Sequence, residues 1–205
     1  WENTNSTNQL VHEGNSVYAN AIALTAGSYE FKMASADWST VDFGSGTPLV
    51  AGDALGLAAG GGNIVLTITA DATYRFEVDA RDPAAPVLRV YQDDLFAGTP
   101  IYLRGTVTSA GWNDINTTNI LTYTGKGLYA QTASMAAGSY EFKIAEEGWN
   151  NPNLGGSPIV IGEAGEITQG SQDNIKIDIP TAGNYQFTLD TRTPNALTIR
   201  VDAVD

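Results

Sequence analysis

The chain has 205 residues, enough for one large or two modest domains, and holds no apolar run long enough to span a membrane. Its net charge of −13 sets up a field that repels nucleic acid and anionic membrane surfaces. With no cysteine and one histidine, His12, it lacks the means for disulfides and for the usual zinc and thiolate sites.

The predicted elements are all of one kind. Short runs rich in Val, Ile, Thr, Tyr and Phe are bounded by Gly, Pro, Asn and Asp, and no helical stripe persists, so the pattern predicts an all-β protein. The chain opens on Trp1 rather than Met and reads as a mature or trimmed piece of an exported, extracellular or surface-bound bacterial protein. AGSYEFK follows at 26–32, with Trp38 six residues beyond Lys32. The same phrase recurs at 137–143, with Trp149 six residues beyond Lys143.

One offset of 111 residues (112 less 1) pairs Trp1 with Trp112, Trp38 with Trp149 and Asn63-Ile64 with Asn174-Ile175. It continues through Tyr74-x-Phe76-x-x-Asp79-x-Arg81 against Tyr185-x-Phe187-x-x-Asp190-x-Arg192. The expectation is two tandem immunoglobulin-like β-sandwiches related by internal duplication, with bounds 1–94 and 95–205. Seven or so strands in about 110 residues is the size of such a sandwich. The seam at 91–100 carries Leu95 and Phe96, which predicts docked rather than freely swinging domains. Residues 100–111, PIYLRGTVTSAG, read as a strand and turn that precede Trp112, and nothing comparable precedes Trp1. The first repeat is therefore expected to lack its first strand, which is supplied upstream or by another chain, because an open sheet edge is normally covered.

In the second repeat the predicted strands are 101–107, 128–135, 139–145, 158–161, 174–179, 185–190 and 197–202. Alternation puts Tyr140, Phe142 and Ile144 in the core and Glu141, Lys143 and Ala145 on the outer face. The chain has only four tryptophans and four lysines, and all of the former and two of the latter fall into repeat-related pairs. The tryptophans lie in polar turns, SADWSTVD, SAGWNDIN and EEGWNNPN among them. A tryptophan in such a loop is either an anchor or an exposed platform, and the residues alone leave both open. Taken singly, Lys143 reads as a solvated strand residue and Asn174 as a turn residue. Together, indole faces, an outward lysine and asparagines form a set suited to a neutral, polar, chain-like ligand such as a polysaccharide.

The order IYLRGTVTSAGW, GLYAQTASMAAGSYEFKIAEEGW, SQDNIKI resembles the glycogen- and starch-binding modules of the early-set immunoglobulin type, families 20 and 48. It is most like those attached to bacterial pullulanases and α-amylases and those of outer-membrane starch-utilisation proteins. The resemblance covers both repeats. It implies an α-glucan site built from Trp112, Lys143, Trp149 and Asn174 in the second repeat, and from Trp1, Lys32, Trp38 and Asn63 in the first. It also implies a catalytic domain elsewhere in a parent chain or in a neighbouring subunit.

The expected function is non-catalytic tandem binding of starch, glycogen or maltooligosaccharide. The alternative is a structural spacer or filament-forming module that binds no sugar. Glycoside hydrolysis needs two carboxylates at a fixed separation in a cleft. The repeated carboxylates Glu30/Glu141 and Asp79/Asp190 read instead as strand-surface and turn residues. No cofactor or metal is expected, since no EF-hand spacing is present.

Overall fold

The computed structural model describes residues 5–109, 111–113 and 115–205, so Trp1 lies outside the described residues. The chain divides into two compact units, Trp1–Asp93 and Asp94–Asp205. In the first, the strands are β1 (Val11–Gly14), β2 (Val17–Leu24), β3 (Gly27–Phe31), β4 (Met33–Ala34), β5 (Asp42–Gly44), β6 (Pro48–Leu49), β7 (Ala54–Gly56), β8 (Ala58–Ala59), β9 (Ile64–Ile68), β10 (Ala72–Asp79) and β11 (Val87–Gln92). In the second they are β12 (Tyr102–Gly105), β13 (Thr122–Gly125), β14 (Leu128–Met135), β15 (Gly138–Ala145), β16 (Asn153–Gly156), β17 (Ala164–Gln169), β18 (Ile175–Ile179), β19 (Gly183–Asp190) and β20 (Leu197–Val204). The protein is all-β apart from three short 3₁₀ turns among the described residues.

The first unit forms a five-stranded sheet, β1-β2-β10-β11-β7, and two three-stranded ones, β3-β9-β6 and β4-β5-β8. In the second unit one ladder runs β12-β15-β16-β17-β20-β19-β14-β13, with β18 also on β15. The alternation read from sequence sets each core. Ile175, Ile177 and Ile179 are buried, as are Tyr185, Phe187 and Leu189. Phe142 and Phe187 meet edge to face, with centroids 5.3 Å apart and planes at 87°. Their counterparts Phe31 and Phe76 meet in the same way at 5.4 Å and 80°. This geometry sets the positive edge of one ring against the negative face of the other. The bounds of β2, β9 and β10 and those of β14, β18 and β19 are separated by the same 111-residue offset seen in the sequence.

Three differences from the sequence reading stand out. The predicted strand at 158–161 is not a strand; Ile159 makes one backbone hydrogen bond, its N–H donating to the Lys176 carbonyl at 2.9 Å. β13, β16 and β17 were not predicted, because β16 (NLGG) and β17 (AGEITQ) carry glycines and polar residues where strand composition would ask for β-branched ones. Ala145, placed on the outer face, is fully buried, flanked by Tyr102 of β12 on one side and Asn153 of β16 on the other.

β12 is also the main contrast between the units. Leu103 stands opposite Ile144, and Gly105 opposite Phe142. Among the described residues no strand fills that place in the first unit. Phe31 and Met33 there are only half-buried, where Phe142 and Ile144 are sealed. The seam residues Leu95 and Phe96 pack against the core of the second unit. There the Tyr129 hydroxyl donates to Asp94 and accepts the Phe96 N–H.

Gly105 ends β12 at φ +138, and an added Cβ would overlap the Glu141 carbonyl oxygen and come within 2.7 Å of Phe142 Cα. Gly162 has φ +83 with nothing within 4 Å of such a Cβ. Both alanine variants suffer the left-handed backbone penalty, of order 1–3 kcal/mol. Gly105→Ala adds a clash with backbone, so its thermal unfolding midpoint is expected to fall well below that of Gly162→Ala. Equal midpoints in a melting comparison would mean that β12 is not held this closely to β15.

Candidate functional site

Trp149 sits at the tip of the loop between β15 and β16 in a left-handed conformation, φ +60. Trp38, at the equivalent position, has φ +61. Such a backbone is costly for a bulky residue, about 1–3 kcal/mol, and persists only where its surroundings enforce it. The enforcement is visible. The Trp149 N–H donates to the Glu146 carbonyl at 3.3 Å. The Glu146 carboxylate accepts the N–H groups of Gly148 at 2.7 Å and Asn150 at 2.6 Å, gripping the chain on both sides of the indole. Those two bonds, Asn150 first, hold the Glu146 carboxyl below its ordinary range. The Asn153 amide donates to the Trp149 carbonyl at 3.1 Å, and the Gln169 amide to the Asn150 carbonyl at 2.7 Å.

Trp112 stands on the 3₁₀ turn Gly111–Asn113, beyond β12. Its ring centroid lies 6.4 Å from that of Trp149, with the planes inclined at 38°. Both indoles are half-buried. The chain thus brings together two rings separated by 37 residues (149 less 112) and leaves part of each open to solvent.

Against the Trp149 ring lies a residue that the sequence reading did not single out. Arg104 is only 3% exposed, and its guanidinium carbon sits 3.8 Å from the Trp149 ring centroid. Its Nε donates to the Trp112 carbonyl at 2.9 Å, and one terminal nitrogen donates to the carbonyls of Glu146 at 3.0 Å and Glu147 at 3.2 Å. Arg104 is the cross-strand partner of Lys143, so both share the face opposite Phe142 and Ile144.

Lys143 corrects the expectation of an upright, exposed ammonium group. It is 8% exposed and donates to the Ser171 carbonyl. The cause is Gly155. A Cβ there would overlap the Asp173 carbonyl oxygen and stand 3.1 Å from Lys143 Cε, so a bare backbone lets the 171–173 segment close over the lysine stem. Asn174 directly precedes β18, whose register pairs Ile175 with Phe142; one further step sets Asn174 opposite Lys143. Its amide nitrogen donates to Glu141 at 3.0 Å.

The first unit builds the equivalent place differently. Lys32 pairs with Asp42, and its ammonium lies 5.7 Å from the Trp38 centroid. At the position of Asp42 the second unit has Asn153, so among the described residues no carboxylate pairs with Lys143. The Asn63 amide donates to Glu30 at 3.3 Å, as Asn174 does to Glu141. Trp1, the first-unit counterpart of Trp112, falls outside the described residues.

Residues 104–196 match the family model of the pullulanase X25 domain. That X25-like span runs from Arg104 through both indoles, Lys143 and Asn174. Solved structures similar to the chain include the following two. SusF from Bacteroides thetaiotaomicron is 17% identical with a TM-score of 0.54, over 92% of this chain and 43% of its own. The chain therefore spans less than half the length of SusF. A ligand-induced structure of AmyP-SBD is 20% identical with a TM-score of 0.43, over 53% of this chain and 74% of its own. Among curated proteins none matches.

The loop carrying Trp38 depends on Asp37. Its carboxyl is held down to about 2 from 3.8, chiefly by the Ser39 hydroxyl, then the Ser39 N–H and the Ser35 hydroxyl. A carboxylate depressed on folding stabilises the fold above its unfolded pKa, and that contribution is lost as pH falls through the folded value. The Trp38 environment should therefore hold down to about pH 4 and loosen between there and about pH 2. Following Trp38 fluorescence with Trp1, Trp112 and Trp149 replaced by Phe tests this. Asp37→Asn should remove that acid transition, and an unchanged transition would show that Asp37 does not govern the loop.

Proposed function

We propose that the second unit is a non-catalytic carbohydrate-binding module that takes α-glucan, and that Trp112 and Trp149 form its contact surface, with Lys143 and Asn174 beside them. The observation that carries this is the indole pair itself: two partly exposed rings in mutual contact, inclined by 38°. Indole faces take up the C–H faces of pyranose rings, and their inclination suits the twisted path of α-1,4-linked glucan better than a flat ribbon. The Lys143 ammonium has donors beyond the one given to Ser171, and the Asn174 amide oxygen is an acceptor, so ring hydroxyls meet both kinds of partner. The match to a pullulanase domain supports the α-glucan class.

The repeated carboxylates support a binding rather than a hydrolytic role. Glu141 is held below its ordinary range by Asn174 and Lys176, and Asp79 by Arg81. A general acid at neutral pH needs a carboxyl raised above that range. We further infer that the two units are immunoglobulin-like sandwiches made by internal duplication, and that the first carries a second site from Trp1, Lys32, Trp38 and Asn63. Two sites on one chain gain strength on a long polymer, because the second contact is intramolecular. In this reading the protein works outside the cell or at its surface, attached to an amylolytic partner in the same chain or a neighbouring subunit.

Affinity electrophoresis tests the reading. Glycogen or amylose in the gel should retard the intact protein, and the Trp38→Ala/Trp149→Ala double variant should run as in a plain gel. Where both sites engage one polymer, either single variant should lose far more than half the retardation, on the order of 10²-fold in apparent affinity. Free migration of the intact protein through every α-glucan gel would leave a spacer as the surviving interpretation.

A further inference from the structure

We propose that Arg104 is the positioning residue of the second unit's sugar-binding surface: it fixes the angle and spacing of Trp112 and Trp149 without touching the ligand. This inference rests on the α-glucan reading for its consequence, and on geometry alone for its mechanism.

The two tryptophans ride on different loops, one after β12 and one after β15, and a loop tip is ordinarily the least constrained part of a sheet protein. Arg104 is the one described side chain that holds both. From the end of β12 it reaches the carbonyl of Trp112 itself, and the carbonyls of Glu146 and Glu147 at the root of the Trp149 loop. Its planar group lies along the Trp149 ring at 3.8 Å. Only arginine offers this combination, a flat cation that stacks on an aromatic face while its edge donates several bonds in fixed directions. Because the guanidinium is buried, the ring face it covers is the inner one. What Trp149 presents to solvent is its other face, and that is where a sugar can lie.

The first unit shows the contrast. Among the described residues no strand of the first unit stands in the place of β12, the strand from which Arg104 reaches Trp149. The nearby cation is Lys32, 5.7 Å from the ring centroid and engaged with Asp42. A lysine has neither the planar stack nor the fork, so it cannot hold a ring face and two loops in one fixed geometry. Arg104 also lies outside every repeated pair, so internal repetition could not point to it.

The test is made on the full chain carrying Trp1→Ala and Trp38→Ala, so that Trp112 and Trp149 report alone. Two indoles 6.4 Å apart at a fixed inclination couple their transitions, and circular dichroism records this as a paired positive and negative band without any ligand. Arg104→Met keeps the apolar stem and Arg104→Lys keeps the charge; neither keeps stack and fork together. Both are expected to keep the β-sheet spectrum, to lose the coupled band, and to bind maltoheptaose about tenfold or more weakly. A coupled band that survives in both variants, or binding within about twofold of the parent, overturns the proposal. So does unfolding of both, which would make Arg104 a folding residue. If the parent binds no maltoheptaose, the α-glucan reading fails, and the coupled band still decides whether Arg104 sets the indole pair.

Discussion

A cation buried behind an aromatic ring organises the site in the second unit. Charge is expensive to bury unless hydrogen bonds replace its water. Arg104 meets that condition with three backbone carbonyls and the face of Trp149. Those carbonyls belong to the two loops that carry the tryptophans, so satisfying the guanidinium and arranging the indoles are one event. The rest of the fold serves it. β12 delivers Arg104 in register with Lys143, and the sealed core under Leu103 and Ile144 fixes the strand that bears it.

The left-handed tryptophans belong to the same account. A tryptophan at φ near +60 is unfavourable in itself, yet both loops adopt it. The second unit clamps the turn with the Glu146 carboxylate, and the first with the Ser35 hydroxyl, which accepts the N–H groups of Thr40 and Val41. Two chemically different acceptors at equivalent positions enforce one backbone shape. The shared requirement is thus the direction in which the indole projects, rather than any particular hydrogen bond.

Much of this was legible in the sequence, and the exceptions are physical. Period-two alternation placed Phe142 and Ile144 correctly, because a strand's side chains have only two directions to choose from. The repeat picked out the tryptophans, Lys143 and Asn174, and the fold sets Trp112 against Trp149 and Asn174 one register step beyond β18. Alternation could give the face on which Lys143 lies but not what covers that face. Its burial comes from Gly155, where a missing Cβ lets a distant segment approach. Arg104 was hidden for the opposite reason: its importance lies in three carbonyl partners, and carbonyls leave no mark in a sequence. β16 and β17 escaped notice because strands that close a sheet by backbone pairing need no apolar pattern.

The most direct test of the central claim watches the four indole N–H signals by nitrogen-edited NMR while maltoheptaose is added. If the inclined pair is the binding surface, the Trp112 and Trp149 signals shift together and saturably, and cellohexaose leaves them in place. If maltoheptaose moves neither signal, or moves only one of the two, the pair does not act as a surface for α-glucan and the account is wrong.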